Sequence, residues 1–95
     1  MKTIYAIFDR KTNSCSLVKE AVGIEEFERW FATVFLRSDA IFALYPSDFD
    51  IYSLCTFDDE HMTVNNDCPP VLICSVDELF DIFKITSQTP GKLGE

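Results

Sequence analysis

The hydrophobic period of this chain runs from strand-like to helix-like and back, and that alternation restricts its fold more than any other feature. Residues 4–8 (Ile4, Tyr5, Ala6, Ile7, Phe8) are continuously apolar, the pattern of a strand covered on both faces or lying centrally in a small sheet. The run Asp9-Arg10-Lys11-Thr12-Asn13 has turn chemistry, and residues 15–18 resume an extended pattern, so a β-hairpin is predicted. From Ile24 the spacing becomes helical: Ile24, Phe27, Phe31, Val34 and Phe35 form one face, with Glu25, Glu26, Glu28 and Arg29 opposite. Gly23 is an acceptable N-cap, the early glutamates suit the positive end of the helix dipole, and Trp30 broadens the apolar side of a helix predicted over 24–36. Over residues 50–57 the period returns to two. Ile51, Ser53, Cys55 and Phe57 are expected to point one way, and Tyr52, Leu54 and Thr56 the other.

The connections follow from local chemistry. Residues 38–44 suit a short helical turn, which Pro46 prevents from continuing because it lacks a backbone donor and restricts Tyr45. Asp58-Asp59-Glu60-His61 reads as a polar reversal into a weaker strand at 62–64, residues 65–70 as a loop, and residues 71–74 as the strand that closes the sheet. Ser75-Val76-Asp77-Glu78 matches a capping box for a second helix, with Val76, Leu79, Phe80 and Phe83 turned to the sheet and Lys84 near the negative pole. The last ten residues, with Pro90, Gly91 and Gly94, read as a flexible tail. The prediction is one α+β domain over residues 1–85, with an antiparallel sheet of four or five strands, one main helix packed on it and a short C-terminal helix, followed by the tail at 86–95. A chain of 95 residues leaves no room for a second domain. Nine Phe, three Tyr and one Trp exceed what one small core easily hides, which makes a homodimer or a bound partner an expectation.

Charge narrows the function. No Lys or Arg lies between Arg37 and Lys84, yet that stretch holds ten acids, and the whole chain carries a net charge of −8. A phosphate-binding role would have to use the first third, because affinity for nucleic acid rests on neutralising backbone charge. The same balance makes anionic membranes poor partners. The apolar run after Met1-Lys2-Thr3 is too short for a secretory leader or a membrane span, so a cytosolic protein with reduced Cys15, Cys55, Cys68 and Cys74 is expected.

Two segments carry a wider pattern: Tyr5-Ala6-Ile7-Phe8-Asp9-Arg10-Lys11, and the run from Phe42-Ala43-Leu44-Tyr45 through Pro46-Ser47-Asp48-Phe49-Asp50-Ile51-Tyr52-Ser53-Leu54-Cys55-Thr56-Phe57-Asp58-Asp59. Together they resemble the small nonstructural protein of gokushoviruses, tailless single-stranded DNA phages of the microvirus group. In that family an aromatic or apolar residue before Asp-Arg-Lys lies near the start, and a Pro-x-Asp-aromatic-x-apolar-Tyr-x-Leu-x-x-Phe-Asp-Asp run follows the helix. Both occur here in the right order and at similar separation, across most of residues 4–75. The chain departs from the pattern at Cys55, where the family often has Gly, at Leu44 and Tyr45, where it often has a basic or imidazole residue, and in the helix after Ser75. The resemblance implies a nonstructural phage protein, of a family often labelled DNA-binding or replication-associated, acting in the host cytoplasm during single-stranded genome synthesis or packaging.

Candidate sites follow from these two readings. Arg10 and Lys11 at the hairpin tip, with Lys2 and Lys19 on the same hairpin and Tyr5 or Tyr52 as stacking faces, are the candidates for transient single-stranded DNA contact; the bland alternative is a solvated turn over core aromatics. Trp30 at the margin of the helical stripe, Leu44, Tyr45 and the acidic turn Asp58, Asp59 and Glu60 are the candidates for a protein partner, a phage or host replication or packaging protein. Asp58, Asp59, Glu60 and His61 lack the periodicity of a calcium loop, and no Cys pair has zinc spacing, so no metal or cofactor is expected. One His, no nucleophile elbow and no Gly-rich phosphate loop leave no cast for catalysis, and no enzyme is expected. The leading expectation is regulation of phage genome synthesis or packaging through protein contacts. The alternatives are a direct, weak single-strand binder and an acidic decoy that occupies a host DNA-binding protein.

Overall fold

A computed structural model describes residues 1–37, 39–65 and 69–85. Strands β1 (Lys2–Asp9) and β2 (Ser14–Ala21) form the predicted hairpin. Strand β3 (Phe49–Asp58) pairs with the other edge of β1, and the far edge of β3 is shared by β4 (Thr63–Asn65) and β5 (Val71–Ser75). The sheet is five-stranded, and each pairing is antiparallel. The molecule is thus the α+β domain that the alternating periods imply. The continuous apolar run of β1 is explained by its central place between β2 and β3.

Three predicted details change. Helix α1 spans Ile24–Phe31 behind Gly23, but residues Ala32–Leu36 wind on as a π-helical turn. An i→i+5 repeat takes one more residue per turn than the α-helical spacing assumed. Leu36, five after Phe31, is therefore fully buried, while Val34 is 47% exposed. In β3, Ser53 lies opposite Tyr5 and Cys55 opposite Ile4, which leaves Leu54 as a bulge. Residues opposite one another share a face, so beyond the bulge it is Thr56, facing Thr3, that continues the side of Ser53, and the simple alternation of residues 50–57 is broken. The capping box is not formed. Ser75 is still in the sheet opposite Asp50, the Val76 amide donates to the Phe49 carbonyl, and α3 (Asp77–Ile82) starts behind Val76 with no side-chain cap.

Short elements complete the chain: α2 (Ile41–Leu44) and a 3-10 turn (Pro46–Asp48) lead into β3. Helix α3 ends where Lys84 takes a left-handed conformation with φ 54°, the Lys84 amide reaches the Asp81 carbonyl and the Ile85 amide the Phe80 carbonyl. This is a Schellman stop, and Ile85 packs back on the core. The predicted tail at 86–95 lies outside the described residues, as does Cys68.

All three helices and the π-helical turn contribute to one core, on the sheet face that carries Tyr5, Ile7, Phe49 and Ile51. An aromatic chain runs through it: Tyr5 to Phe27 at 5.0 Å between ring centroids, Phe27 to Phe31 at 5.9 Å, Phe31 to Phe42 at 5.2 Å and Phe42 to Phe49 at 4.8 Å. Each such contact adds roughly 0.5–1.5 kcal/mol to simple area burial.

Candidate functional surface

The hairpin tip is built by Asp9. Its carboxylate, on a residue only 9% exposed, accepts hydrogen bonds from the Lys11 amide at 2.8 Å and the Thr12 amide at 3.4 Å, an Asx turn that folds the chain back. Asn13 accommodates the left-handed position at φ 57°. The next residue links the two segments that stood out in the sequence. Arg10 Nε lies 3.1 Å from Asp50 Oδ2, the Arg10 amide donates to the Asp48 carbonyl at 3.0 Å, and Asp9 is in register with Phe49. The Asp-Arg pair of one motif and the Asp-Phe-Asp of the other are therefore one structural joint between β1 and the entry to β3.

This joint separates the four candidate cations. Arg10 is ion-paired with Asp50. Lys19 sits 3.5 Å from the Glu20 carboxylate and 5.2 Å from the centre of the Trp30 ring. Lys2 lies opposite Phe57 at the other end of β1, eight residues from Arg10 and so roughly 26 Å away at the usual strand rise. Lys11 has no ion pair among the described residues. Of the two proposed stacking tyrosines, Tyr5 is 5% exposed and committed to the core, while Tyr52 faces the other side of the sheet beside Phe8, at 6.0 Å between rings.

The partner candidates are also spread. Trp30 is half-buried among Phe27, Phe31 and Phe35. Leu44 is half-buried and Tyr45 is 45% exposed at the end of α2. Both lie just before β3, whereas Asp58, Asp59 and Glu60 follow its last residue, a separation of roughly 30 Å along a ten-residue strand. The acidic turn has its own internal order. Asp58 Oδ1 accepts from the Glu60 and His61 amides at 3.0 and 3.3 Å, and Asp58 Oδ2 lies 2.8 Å from His61 Nδ1. The His61 contact, with the two amides, holds the Asp58 carboxyl below its ordinary range. Asp59 lies 3.3 Å from the Met1 amine, which lowers its pKa in the same way. Among the described residues no three His, Cys, Asp or Glu side chains gather to hold a metal ion, and no helix is long and apolar enough to cross a membrane.

The surface that sequence reasoning missed is the second face of the sheet. Ala6, Phe8, Cys15, Tyr52, Leu54 and Pro70 line an almost wholly apolar groove of about 260 Å³ on it. Val18, opposite Ala6, and Leu72, opposite Tyr52, extend the patch, each 56% exposed. The signal was present in the sequence: both alternating sets of β1 are apolar, Tyr5 and Ile7 on one side and Ile4, Ala6 and Phe8 on the other. What the sequence did not reveal is that the helices of the described residues gather on the other side.

The cysteines sample the two faces. Cys15 is exposed at the open groove. Cys74, opposite Ile51, sits on the helix side with its Sγ 3.8 Å from Glu28 Oε2. Burial, reinforced by Glu28 and Glu78, pushes the Cys74 thiol up to about 12, and burial likewise raises the Glu28 carboxyl above its ordinary value.

In class, this is a small α+β domain in which, among the described residues, the helices cover one face of an antiparallel sheet and leave an apolar face open. Residues 2–79 match the family described as Phage ORF5 protein; the chain belongs to that family and is a phage protein. No curated protein and no solved structure matches it.

Proposed function

We propose that this protein is a non-enzymatic, nonstructural factor of a gokushovirus-type phage, which regulates single-stranded genome synthesis or packaging in the host cytoplasm mainly through protein contacts. Membership of the Phage ORF5 family supports the phage setting. The observation that carries the protein-contact reading is the open apolar sheet face, because exposed apolar surface of this extent marks interaction sites. The electrostatics agree. The basic residues are dispersed, two of the four candidates are paired with carboxylates, and a polyanion would meet a net charge of −8.

The test is association of the full chain with the phage's replication initiator and its procapsid proteins, measured separately by biolayer interferometry. Binding of either at micromolar concentration or tighter is expected; no binding to either removes the reading. A second reading, weak single-stranded DNA contact, is favoured by one observation, the Phe8 and Tyr52 rings side by side on the open face next to the tip that carries Lys11. Fluorescence titration with an oligonucleotide at two salt concentrations decides it, since a real phosphate contact weakens as salt rises. The acidic-decoy alternative rests on the stretch from Ser38 to Phe83, which holds no Lys or Arg, and charge reversal at Asp58 and Asp59 should abolish capture of a host DNA-binding protein; unchanged binding removes the idea.

A further inference from the structure

We infer that the open sheet face is covered by a second copy of this chain, so that two sheets pack face to face about a two-fold axis with the helices outside. The inference rests on the protein-contact reading above and names the first occupant of that surface.

The residue pattern is the first support. In an antiparallel sheet with one wet face, the outward positions are polar. Here the middle of the outward face is apolar, with Ile4, Ala6 and Phe8 on β1 and Tyr52, Leu54 and Cys55 on β3, and the charged Lys2 and Asp50 fall near the strand ends. Val18 on β2 and Leu72 on β5 flank them. A sheet with apolar residues on both pleats is the middle layer of a three-layer packing or one half of a sandwich.

Area is the second support. β1 and β2 each have eight residues, about 26 Å in length, and four strands abreast span about 19 Å, so the face covers roughly 500 Å² in projection. Two such faces together remove roughly 1,000 Å² or more from solvent, the lower limit for a specific interface. Charge is the third. The chain is strongly acidic as a whole, which opposes self-association anywhere that acids meet. On this face the charged residues lie at the margins and are nearly balanced: Lys2 near Glu20, and Asp50 already paired with Arg10. Two copies can therefore meet on this surface without stacking like charges. The last ten residues of the chain are a poor alternative cover, since Leu93 is their only large apolar side chain. In the dimer the Asp58-Asp59-Glu60 turns stay at the perimeter, available to other proteins.

Sedimentation velocity of the full chain alone, across a hundred-fold range of concentration, tests this without any phage partner. The expected species is a dimer of twice the 10.9 kDa chain mass. Val18→Lys with Leu72→Lys places two charges in the apposed faces at positions already 56% exposed in the single chain; it should weaken the dimer at least a hundred-fold while leaving the circular dichroism spectrum unchanged. Val34→Lys, on the helix side and 47% exposed, should leave the dimer intact. A wild-type chain that stays monomeric throughout overturns the inference, as does a dimer insensitive to the double variant. If the monomeric chain still binds the initiator or procapsid proteins, the protein-contact reading survives and only the second copy is wrong. A monomer that instead takes up oligonucleotide, with the uptake lost in Tyr52→Ala, overturns the inference in favour of nucleic acid on the same face.

Discussion

The two faces of the sheet are built from the same kinds of residue and meet different fates. On one side Ile7, Phe49 and Ile51 lie under α1, the π-helical turn and α3 and are at most 2% exposed. On the other, Phe8, Tyr52 and Leu54 are equally apolar but only half-buried, with neighbours along the strands and nothing described above them. Apolar character therefore does not distinguish core from contact surface in this protein. What distinguishes them is where the connections place the helices, since each helix must bury its own stripe and a short chain has enough of them for one layer.

The sharpest way to break this comparison is to truncate one side chain on each face. Phe31→Ala removes a fully buried ring in contact with Phe27, Phe35 and Phe42 and should cost about 3–5 kcal/mol. That is a large share of the roughly 5–15 kcal/mol available to a small domain. Leu54→Ala on the open face, measured by urea denaturation in dilute solution, should cost about 1 kcal/mol or less. Equal losses would mean that the open face is already packed within a single chain.

The cysteines give a second contrast, read as a rate. With its pKa pushed up to about 12 from 9.0, Cys74 carries little thiolate near neutral pH, and the thiolate is the reactive form. Iodoacetamide at mildly alkaline pH should modify exposed Cys15 on the order of a hundred-fold faster than Cys74 in the native chain, followed by mass spectrometry of peptides. Similar rates would show that Cys74 and Glu28 do not share a dry pocket. If two copies associate through the open face, Cys15 should also become slower as protein concentration rises, while Cys74 stays constant.

The smallest expected effect lies at Glu28, the acid facing Cys74. Burial raises its folded pKa above 4.5, and the Glu25 and Glu78 carboxylates add to the shift. A raised folded pKa means that the folded chain binds the proton more tightly. Its contribution to stability is therefore fully present below the unfolded pKa and is lost as pH rises through the folded one. Glu28→Gln should stabilise the protein at about pH 7, by well under ~1 kcal/mol because the group is largely solvent-screened, and the advantage should vanish at about pH 4. Thermal melts at the two pH values check it; a variant less stable at neutral pH would mean that the Cys74 contact outweighs the burial cost.

Much of this architecture was legible in residue order. The hairpin, the helix after Gly23, the strand after Pro46 and the terminal helix all appear where hydrophobic period and turn chemistry place them. The losses have local physical causes. α-Helical spacing places Val34 in the buried stripe, whereas the π-helical turn brings Leu36 inward instead. The Ser-x-x-Glu pattern at Ser75 points to a cap, but it does not reveal that strand pairing already claims the Ser. The Arg10–Asp50 pair has no local signature, because forty positions of sequence separate the two residues.

Sequence alone determined the α+β class, the acidic electrostatics and the presence of more apolar side chains than one small core absorbs. Those properties reside in residue type and short-range periodicity, which local chemistry can read. Only the tertiary structure decided that Asp9-Arg10 and Asp48-Phe49-Asp50 form one joint, that the cations do not converge, and that Phe8, Tyr52 and Leu54 fall on an open surface while Tyr5 and Ile51 fall in the core. Each of those outcomes depends on which strands pair and on which side the crossing helices pack, and no local signal encodes either.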